Sequence, residues 1–266
     1  MAVCRRRSAV SSRRLRRCAV KDFEPLLSKY TRLAKTAPGA SRVGWLDELQ
    51  QQAQFEAMLT LNFVSGNSAL DVGCGVGDLL PLLTAGGFNG SYTGVDLLPA
   101  FIAEAQTRFA DYPNAQFIVG NAARLALSPH DFVFASGLFD YKIKDSRTHW
   151  ETMVAELFGL ARKALVWNGY SQEPAGRDDM WAVDAAHVAA LCQRLSPFWQ
   201  LRSDYAPGHY TAFLFKRDYW LTPALQTLIG HLFLNRVSPA ALKTNPQSIA
   251  QRYDVTMQQL NLVTEG

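Results

Sequence analysis

Ala69-Leu70-Asp71-Val72-Gly73-Cys74-Gly75-Val76-Gly77-Asp78 decides the fold, and Tyr92-Thr93-Gly94-Val95-Asp96 completes its meaning. Ala69 to Val72 is a short apolar run bounded by glycines, the pattern of a strand buried on both faces of a parallel sheet. Gly73, Gly75 and Gly77 then make a turn without Cβ atoms at alternate positions, where the backbone can take strained dihedrals and a ligand can lie against it. A helix from Asp78 to about Ala85 should follow. Asp96, at the carboxyl end of the neighbouring strand, is placed to accept hydrogen bonds from both hydroxyls of a ribose. Strand, glycine turn, helix and acid-tipped strand together predict a nucleoside-binding site.

Two cofactor chemistries compete for this turn. The dinucleotide fingerprint Gly-x-Gly-x-x-Gly uses its third glycine for close helix packing and faces the helix amino terminus to a pyrophosphate. Counted from Gly73, that glycine falls on Asp78, whose carboxylate would repel a pyrophosphate. The stretch instead resembles motif I of the class I S-adenosylmethionine-dependent methyltransferases, in which an acid, here Asp71, stands two residues before Gly-x-Gly-x-Gly. The cofactor implied by the resemblance, S-adenosylmethionine, has no phosphate and carries a sulfonium and an ammonium group, so the acids at 71 and 78 favour it. Asp96 does not discriminate, since both cofactors contain a ribose.

Downstream, Pro99 opens a helix with an apolar face of Phe101, Ile102, Ala105 and Phe109. Ala115 to Gly120 reads as a third strand ending in Asn121-Ala122-Ala123. The resemblance implies that Asn121 meets the adenine exocyclic amine and the Ala122 backbone a ring nitrogen; a plain turn asparagine is the competing reading. His130 to Gly137 gives a fourth strand and its exit. In an open parallel sheet the crevice lies beyond the carboxyl ends where the winding reverses, so Ser136 to Lys142 should line the active site. A helix from Thr148 to Ala161, a strand from Lys163 to Gly169 and a helix from Ala185 to Leu195 follow. Trp199 to Tyr205 and Tyr210 to Lys216 then pair antiparallel across Ala206-Pro207-Gly208-His209.

The expected fold class is therefore α/β: a Rossmann-like, doubly wound, seven-stranded and mostly parallel sheet with an antiparallel last strand and helices on both faces. The closing antiparallel pair is similar to the methyltransferase sheet and normally absent from dinucleotide folds. Val43-Gly44-Trp45, Ser136-Gly137-Leu138-Phe139, Trp167-Asn168, Asp204-Tyr205 and Tyr210-Thr211-Ala212-Phe213 resemble a group of small bacterial class I methyltransferases. This resemblance spans Ser41 to Arg217 and speaks for fold and cofactor, not for the methyl acceptor. It implies cofactor contacts from Trp45, Asp71, Gly73, Cys74, Gly75, Gly77, Asp96, Leu97, Asn121, Ala122, Ser136 and Gly137.

Of the 266 residues, 48% are hydrophobic, enough to bury the core of one α/β domain. No apolar stretch approaches the roughly 20 residues that span a bilayer, so a membrane is not an expected partner. The net charge is +4, yet residues 1–21 carry seven Arg and Lys21 with no acid. The remaining 19 basic and 23 acidic side chains give a body of net charge −4. Such a body lacks the basic face that nucleic acid requires. The Arg- and Ser-rich segment 1–21 fits a disordered tail, with an organellar transit peptide or a phosphate-binding arm as alternatives. Cys4, Cys18, Cys74 and Cys192 form no Cys-x-x-Cys pair and have no His at metal-ligand spacing, so reduced thiols in a cytoplasmic protein without a metal are expected. Residues 22–64, with helices from Phe23 to Ala37 and from Leu46 to Phe63, are expected to form a lid over a core at 65–217, with Tyr30, Arg42 and Trp45 closing the site. An aromatic ring can cover a sulfonium through cation–π attraction, or simply pack.

Residues 218–266 form a helical extension in which Leu221, Leu225, Leu228, Ile229, Leu232 and Phe233 recur at helical spacing. Their stripe must be buried, as a homodimer face, a substrate cap or core packing. Ile249 to Thr256 is faintly similar to a helix-turn-helix turn, but without a basic recognition helix an ordinary terminal helix is expected.

Methyl transfer from an activated sulfonium needs alignment and exclusion of water, and only sometimes a base. The expected reaction is transfer to an O or N nucleophile of a small molecule. Asp140 and Tyr141, beyond the fourth strand, lead the candidates for a base, with His209 and Asp204 behind them. Phe139, Tyr141, Trp150, Tyr205 and Tyr210 are candidates for an aromatic acceptor pocket or for core filling. A sensor or partner subunit that binds S-adenosylmethionine without turnover, and a nicotinamide oxidoreductase, are the rival readings.

Overall fold

The computed structural model describes residues 23–59, 67–220, 223–233, 236–257 and 260. The basic segment 1–21 with Cys4 and Cys18, the expected continuation of the second helix to Phe63, and Leu221 lie outside the described residues, as do the side chains of Ile229 and Phe233. The chain divides into two compact units, one ending at Leu214 and the other beginning at Phe215.

The first unit opens with α1 (Glu24–Thr36), whose first turn holds a proline, and a short 3-10 helix Gly39–Val43. Gly44 closes that 3-10 helix at φ 97°, and a Cβ there would stand 2.8 Å from the Tyr30 hydroxyl oxygen. Helix α2 (Glu48–Met58) begins where the Asp47 carboxylate accepts the Gln50 amide at 2.8 Å, one of the orphan donors of a helix start. Its buried residues are Gln54, Phe55, Ala57 and Met58.

The sheet then forms from β1 (Ala69–Val72), β2 (Tyr92–Asp96), β3 (Ala115–Val119), β4 (His130–Ala135), β5 (Ala161–Tyr170), β6 (Trp199–Arg202) and β7 (His209–Phe215). Between these strands run α3 (Leu79–Ala85), α4 (Pro99–Arg108), α5 (Ser146–Leu160) and α6 (Ala185–Leu195). The strand order is β3-β2-β1-β4-β5-β7-β6. β1 to β5 pair in parallel, and β6 pairs antiparallel with β7 from Trp199 opposite Leu214 to Arg202 opposite Thr211. All four residues of β1 are buried, as a central parallel strand requires. Trp150, Leu157 and Val154 on α5 and Leu165 and Trp167 on β5 belong to one core cluster with Val72 and Val133. Each such fully buried apolar side chain contributes roughly 1.5–3 kcal/mol by leaving water.

β1 lies between β2 and β4, so the chain winds away from it in both directions. The crevice that this reversal opens at the carboxyl ends of β1 and β4 is where such sheets bind ligands.

The second unit holds α7 (Arg217–Trp220), α8 (Pro223–Phe233), α9 (Pro239–Thr244) and α10 (Pro246–Tyr253). Ser238 caps α9 by accepting the Ala241 amide at 3.1 Å, and His231 Nδ1 lies 2.7 Å from the Tyr253 hydroxyl. Leu225 and Leu228 on the α8 stripe are buried within the single chain. Helix α10 ends on Asp254, which takes the left-handed conformation at φ 51°. No helix among the described residues is long and apolar enough to cross a membrane.

Candidate active site

The glycine turn is tied to the tip of β2 by its backbone: Gly73 and Cys74 both donate to the Val95 carbonyl, at 2.8 and 3.2 Å. Gly73, Gly75 and Gly77 have φ values of 78°, 55° and 82°, a left-handed conformation that glycine takes without a Cβ clash. Asp96 fixes the turn from below, its Oδ2 accepting the Gly75 amide at 3.0 Å and its Oδ1 the Leu98 amide at 2.8 Å. Burial raises the Asp96 pKa, and these amide donors oppose the rise by favouring the carboxylate. The remaining lone pairs of that carboxylate border a cavity, and a ribose hydroxyl can meet them there.

The same cavity is lined by Trp45, Asp71, Gly73, Cys74, Gly75, Asp96, Leu97, Asn121, Ala122, Ser136, Gly137, Asp140 and Tyr141. The sequence also nominated Gly77 and His209, and the structure places neither on the cavity wall. Gly77 faces the core: a Cβ there would stand 2.8 Å from Phe109 Cε2 and 3.0 Å from Phe117 Cε1, so its role is close packing under the turn. His209 is buried behind Tyr170, with ring centroids 4.4 Å apart. Its Nδ1 lies 2.9 Å from the Pro207 carbonyl and its Nε2 3.3 Å from Gln50 Nε2. The ring therefore donates from Nδ1, accepts at Nε2 and stays in place. Asp204 pairs with Arg202 and is mostly exposed. Of the proposed aromatic pocket, only Tyr141 lines the cavity. Trp150 and Tyr210 are at most 1% exposed in the core, Tyr205 accepts the Thr211 hydroxyl at 2.9 Å, and Phe139 lines a smaller neighbouring hollow.

The acids differ in state. Asp71 is buried and its Oδ2 accepts the Tyr92 hydroxyl at 2.6 Å; burial pushes its pKa up to about 7, with the hydrogen bond opposing. Asp78 is ion-paired with Arg108 and accepts Gln51 Nε2 at 3.1 Å, so its charge is already answered. Asn121 folds its Oδ1 back onto the Ala123 amide at 2.9 Å, the geometry of an Asx turn, and this leaves its amide nitrogen for other partners.

Two features support the wall from behind, one with a weak sequence signal and one with none. Asn168, wholly buried on β5, accepts the Gly137 amide at 2.8 Å and donates to Ser136 Oγ at 2.9 Å, pinning the exit of β4. A single amide amid Leu165-Val166-Trp167 was its signal. Residues 179–183, which have no periodic pattern, thread between the two exits. Trp181 N donates to the Asp140 carbonyl at 2.9 Å, Lys142 N to the Asp179 carbonyl at 2.9 Å, and Val183 N to the Tyr170 carbonyl at 2.9 Å. This backbone pairing fixes Asp140 and Tyr141 in position. Asp78, Phe23, Tyr30, Phe55, His149, Met153, Tyr170 and Met180 also line the wall.

Leu27, Tyr30, Ala34 and Val43 from the amino-terminal segment pack on Val76, Leu98 and Phe101, and Arg42 binds Glu104 through both guanidinium nitrogens. Tyr30 meets Tyr141 edge-on at 5.7 Å, and Lys29, paired with Asp179 at 2.5 Å, lies 4.0 Å from the Tyr141 ring centre. No group of three side chains suited to a metal ion exists among the described residues.

Residues 69–163 match a family described as a methyltransferase domain. A curated Mycobacterium tuberculosis (strain ATCC 25618 / H37Rv) protein named "Putative methyltransferase Rv1506c" is 34% identical over 162 residues, which cover 58% of this chain and 96% of that relative. Among solved structures, magnesium protoporphyrin IX methyltransferase from Synechocystis PCC 6803, with S-adenosylhomocysteine bound, superposes with a TM-score of 0.52. It is 18% identical and the match covers 73% of this chain and 96% of the other. The PH0226 protein of Pyrococcus horikoshii OT3 superposes with a TM-score of 0.53 at 15% identity, covering 70% and 99% of the two chains. At these identities the two structures establish a shared fold.

Proposed function

Because the chain belongs to the class I S-adenosylmethionine-dependent methyltransferases, we propose that it transfers a methyl group to an oxygen or nitrogen nucleophile of a small molecule. One observation carries the reading: the glycine turn, the Asp96 carboxylate and a buried carboxyl oxygen without a partner, Asp140 Oδ1, border a single cavity. The residues fit the cofactor. Gly73 and Gly75 border the cavity with backbone alone, so a nucleoside can lie close against the turn, and a Cβ on either would crowd Leu138 Cδ1 at 3.1 Å or Val43 Cγ1 at 3.0 Å. S-adenosylmethionine supplies an activated methyl group on a sulfonium.

The protein's own residues do the rest. Asp96 holds the ribose, Asn121 and Ala122 border the base, and Trp45 and Tyr30 shield the reaction from water under the amino-terminal lid. Asp140 takes a proton from the nucleophile where one must leave, and Tyr141 positions it. Burial pushes the Asp140 pKa up to about 7, near the working range of a general base. The mildly acidic body, net −4 outside residues 1–21, supports a small-molecule acceptor over nucleic acid.

Titration calorimetry with S-adenosylhomocysteine and NAD tests the assignment. Binding of the first and not the second is expected; a preference for NAD rejects it.

A further inference from the structure

Two polar atoms on the cavity wall are sealed from solvent and have no hydrogen-bond partner: Asp140 Oδ1 and His149 Nδ1. Asp140 as a whole is 6% exposed. A buried acceptor left unpaired costs about 1–3 kcal/mol, and more when charged, so an orphan at a cavity marks where a ligand supplies the missing donor. Both atoms sit on the segment after β4 and on α5, and not on the loops after β1 to β3 that carry the glycine turn, Asp96 and Asn121. They belong to the acceptor's share of the cavity, whose other surfaces include Phe23, Leu26, Tyr30, Met153 and Met180.

The charge of that wall is one-sided. Four aspartates line the cavity and no lysine or arginine does. Of the four, Asp78 is answered by Arg108, and the other nearby cations are engaged away from the cavity, Lys29 and Arg177 with Asp179 and Arg42 with Glu104, so no free cation among the described residues faces Asp140. Burial lowers the His149 pKa, so its ring is neutral near pH 7. A carboxylate or phosphate entering this space would be desolvated without a counter-ion. An alkylammonium would answer Asp140, but it would stand beside the sulfonium and has no lone pair with which to attack.

We propose that the methyl acceptor is an uncharged, largely apolar molecule carrying a hydroxyl group, which donates its hydrogen bond to Asp140 Oδ1. This deepens the methyltransferase reading and rests on it. Asp140, as the carboxylate, takes the hydroxyl proton while the oxygen–methyl bond forms and the sulfonium–methyl bond breaks, the bonding pair staying on sulfur. The products are a methyl ether, a neutral thioether and protonated Asp140, which returns its proton to water. A carboxyl group with a pKa near neutrality suits both halves of that cycle.

The test uses the full chain saturated with S-adenosylhomocysteine and three flat probes: 2-naphthol, 2-naphthoate and 2-naphthylmethylammonium, titrated by calorimetry. 2-Naphthol should bind at least about tenfold more tightly than either ion. With S-adenosylmethionine it should be methylated on oxygen. Asp140→Asn should keep its affinity for S-adenosylhomocysteine, showing an intact fold, while losing naphthol methylation by about 100-fold or more. Equal or tighter binding of 2-naphthoate, tighter binding of the ammonium, no binding of 2-naphthol, or full activity in Asp140→Asn each overturns the proposal. Failure of S-adenosylhomocysteine itself to bind would instead overturn the methyltransferase reading.

Discussion

Asp96 Oδ2 accepts the backbone N–H of Gly75 at 3.0 Å, so the acid at the tip of β2 shapes the glycine turn before any ligand arrives. One carboxylate thus serves as scaffold and as ribose acceptor. Asp96→Ala should remove both, and a charge-assisted hydrogen bond carries about 1.5–3 kcal/mol. The expected result is a fall of about 10- to 100-fold in affinity for S-adenosylhomocysteine by calorimetry, and an unchanged affinity would remove Asp96 from the site.

Asn168 bonds to both Ser136 and Gly137, and it holds the floor of the crevice from β5. Asn168→Ala leaves a buried amide donor and a hydroxyl without partners, at a cost of about 1–3 kcal/mol. Turnover should fall more than cofactor affinity, because the β4 exit carries Asp140 rather than the glycine turn. A variant that loses only cofactor affinity would contradict that assignment.

Gly77→Ala puts a methyl group 2.8 Å from Phe109 Cε2 at φ 82°, combining a clash with a strained backbone. Destabilisation of about 2–4 kcal/mol is expected from the two effects. Urea unfolding should show it, while the folded fraction binds S-adenosylhomocysteine nearly as the parent does. A large loss of affinity at full stability would return Gly77 to the ligand face.

Asp140 makes stability depend on pH in a set direction. Its folded pKa of about 7 lies above the ordinary 3.8, so the fold holds the proton more tightly than the unfolded chain. Its cost is absent below about pH 4, grows as pH rises and levels off above pH 7. The groups facing it are Tyr30, Tyr170, Tyr205 and Tyr210, whose pKa values burial raises, so none of them titrates in that window. The full span corresponds to at most roughly 4 kcal/mol. Asp140→Asn should therefore melt above the parent at pH 8, with the gap narrowing at pH 5. A gap that does not change with pH would show an ordinary carboxylate.

The sheet was legible in the sequence because its signals are local. Buried parallel strands write themselves as apolar runs, and α6 matched its expected limits from Ala185 to Leu195 because its apolar face repeats at helical spacing. The glycine turn was legible as a turn, but sequence could not say which way each glycine faces, and Gly77 turned inward. Sorting pocket aromatics from core aromatics failed for a related reason. Every residue of β7 is buried, so Tyr210 and His209 show no alternation to separate cavity from core. The pairing of residues 179–181 with 140–142 left no trace at all, since backbone hydrogen bonds between distant irregular segments impose no residue pattern.

Arg108 reaches from α4 to Asp78 at the foot of α3. The repulsion that this carboxylate alone would direct at a diphosphate is thus largely cancelled within the protein. Deleting only the acid would leave a bare guanidinium beside the glycine turn, and a corner of balanced charge would become one that attracts phosphate. At this corner one ion pair sets the local field that a bound anion would meet.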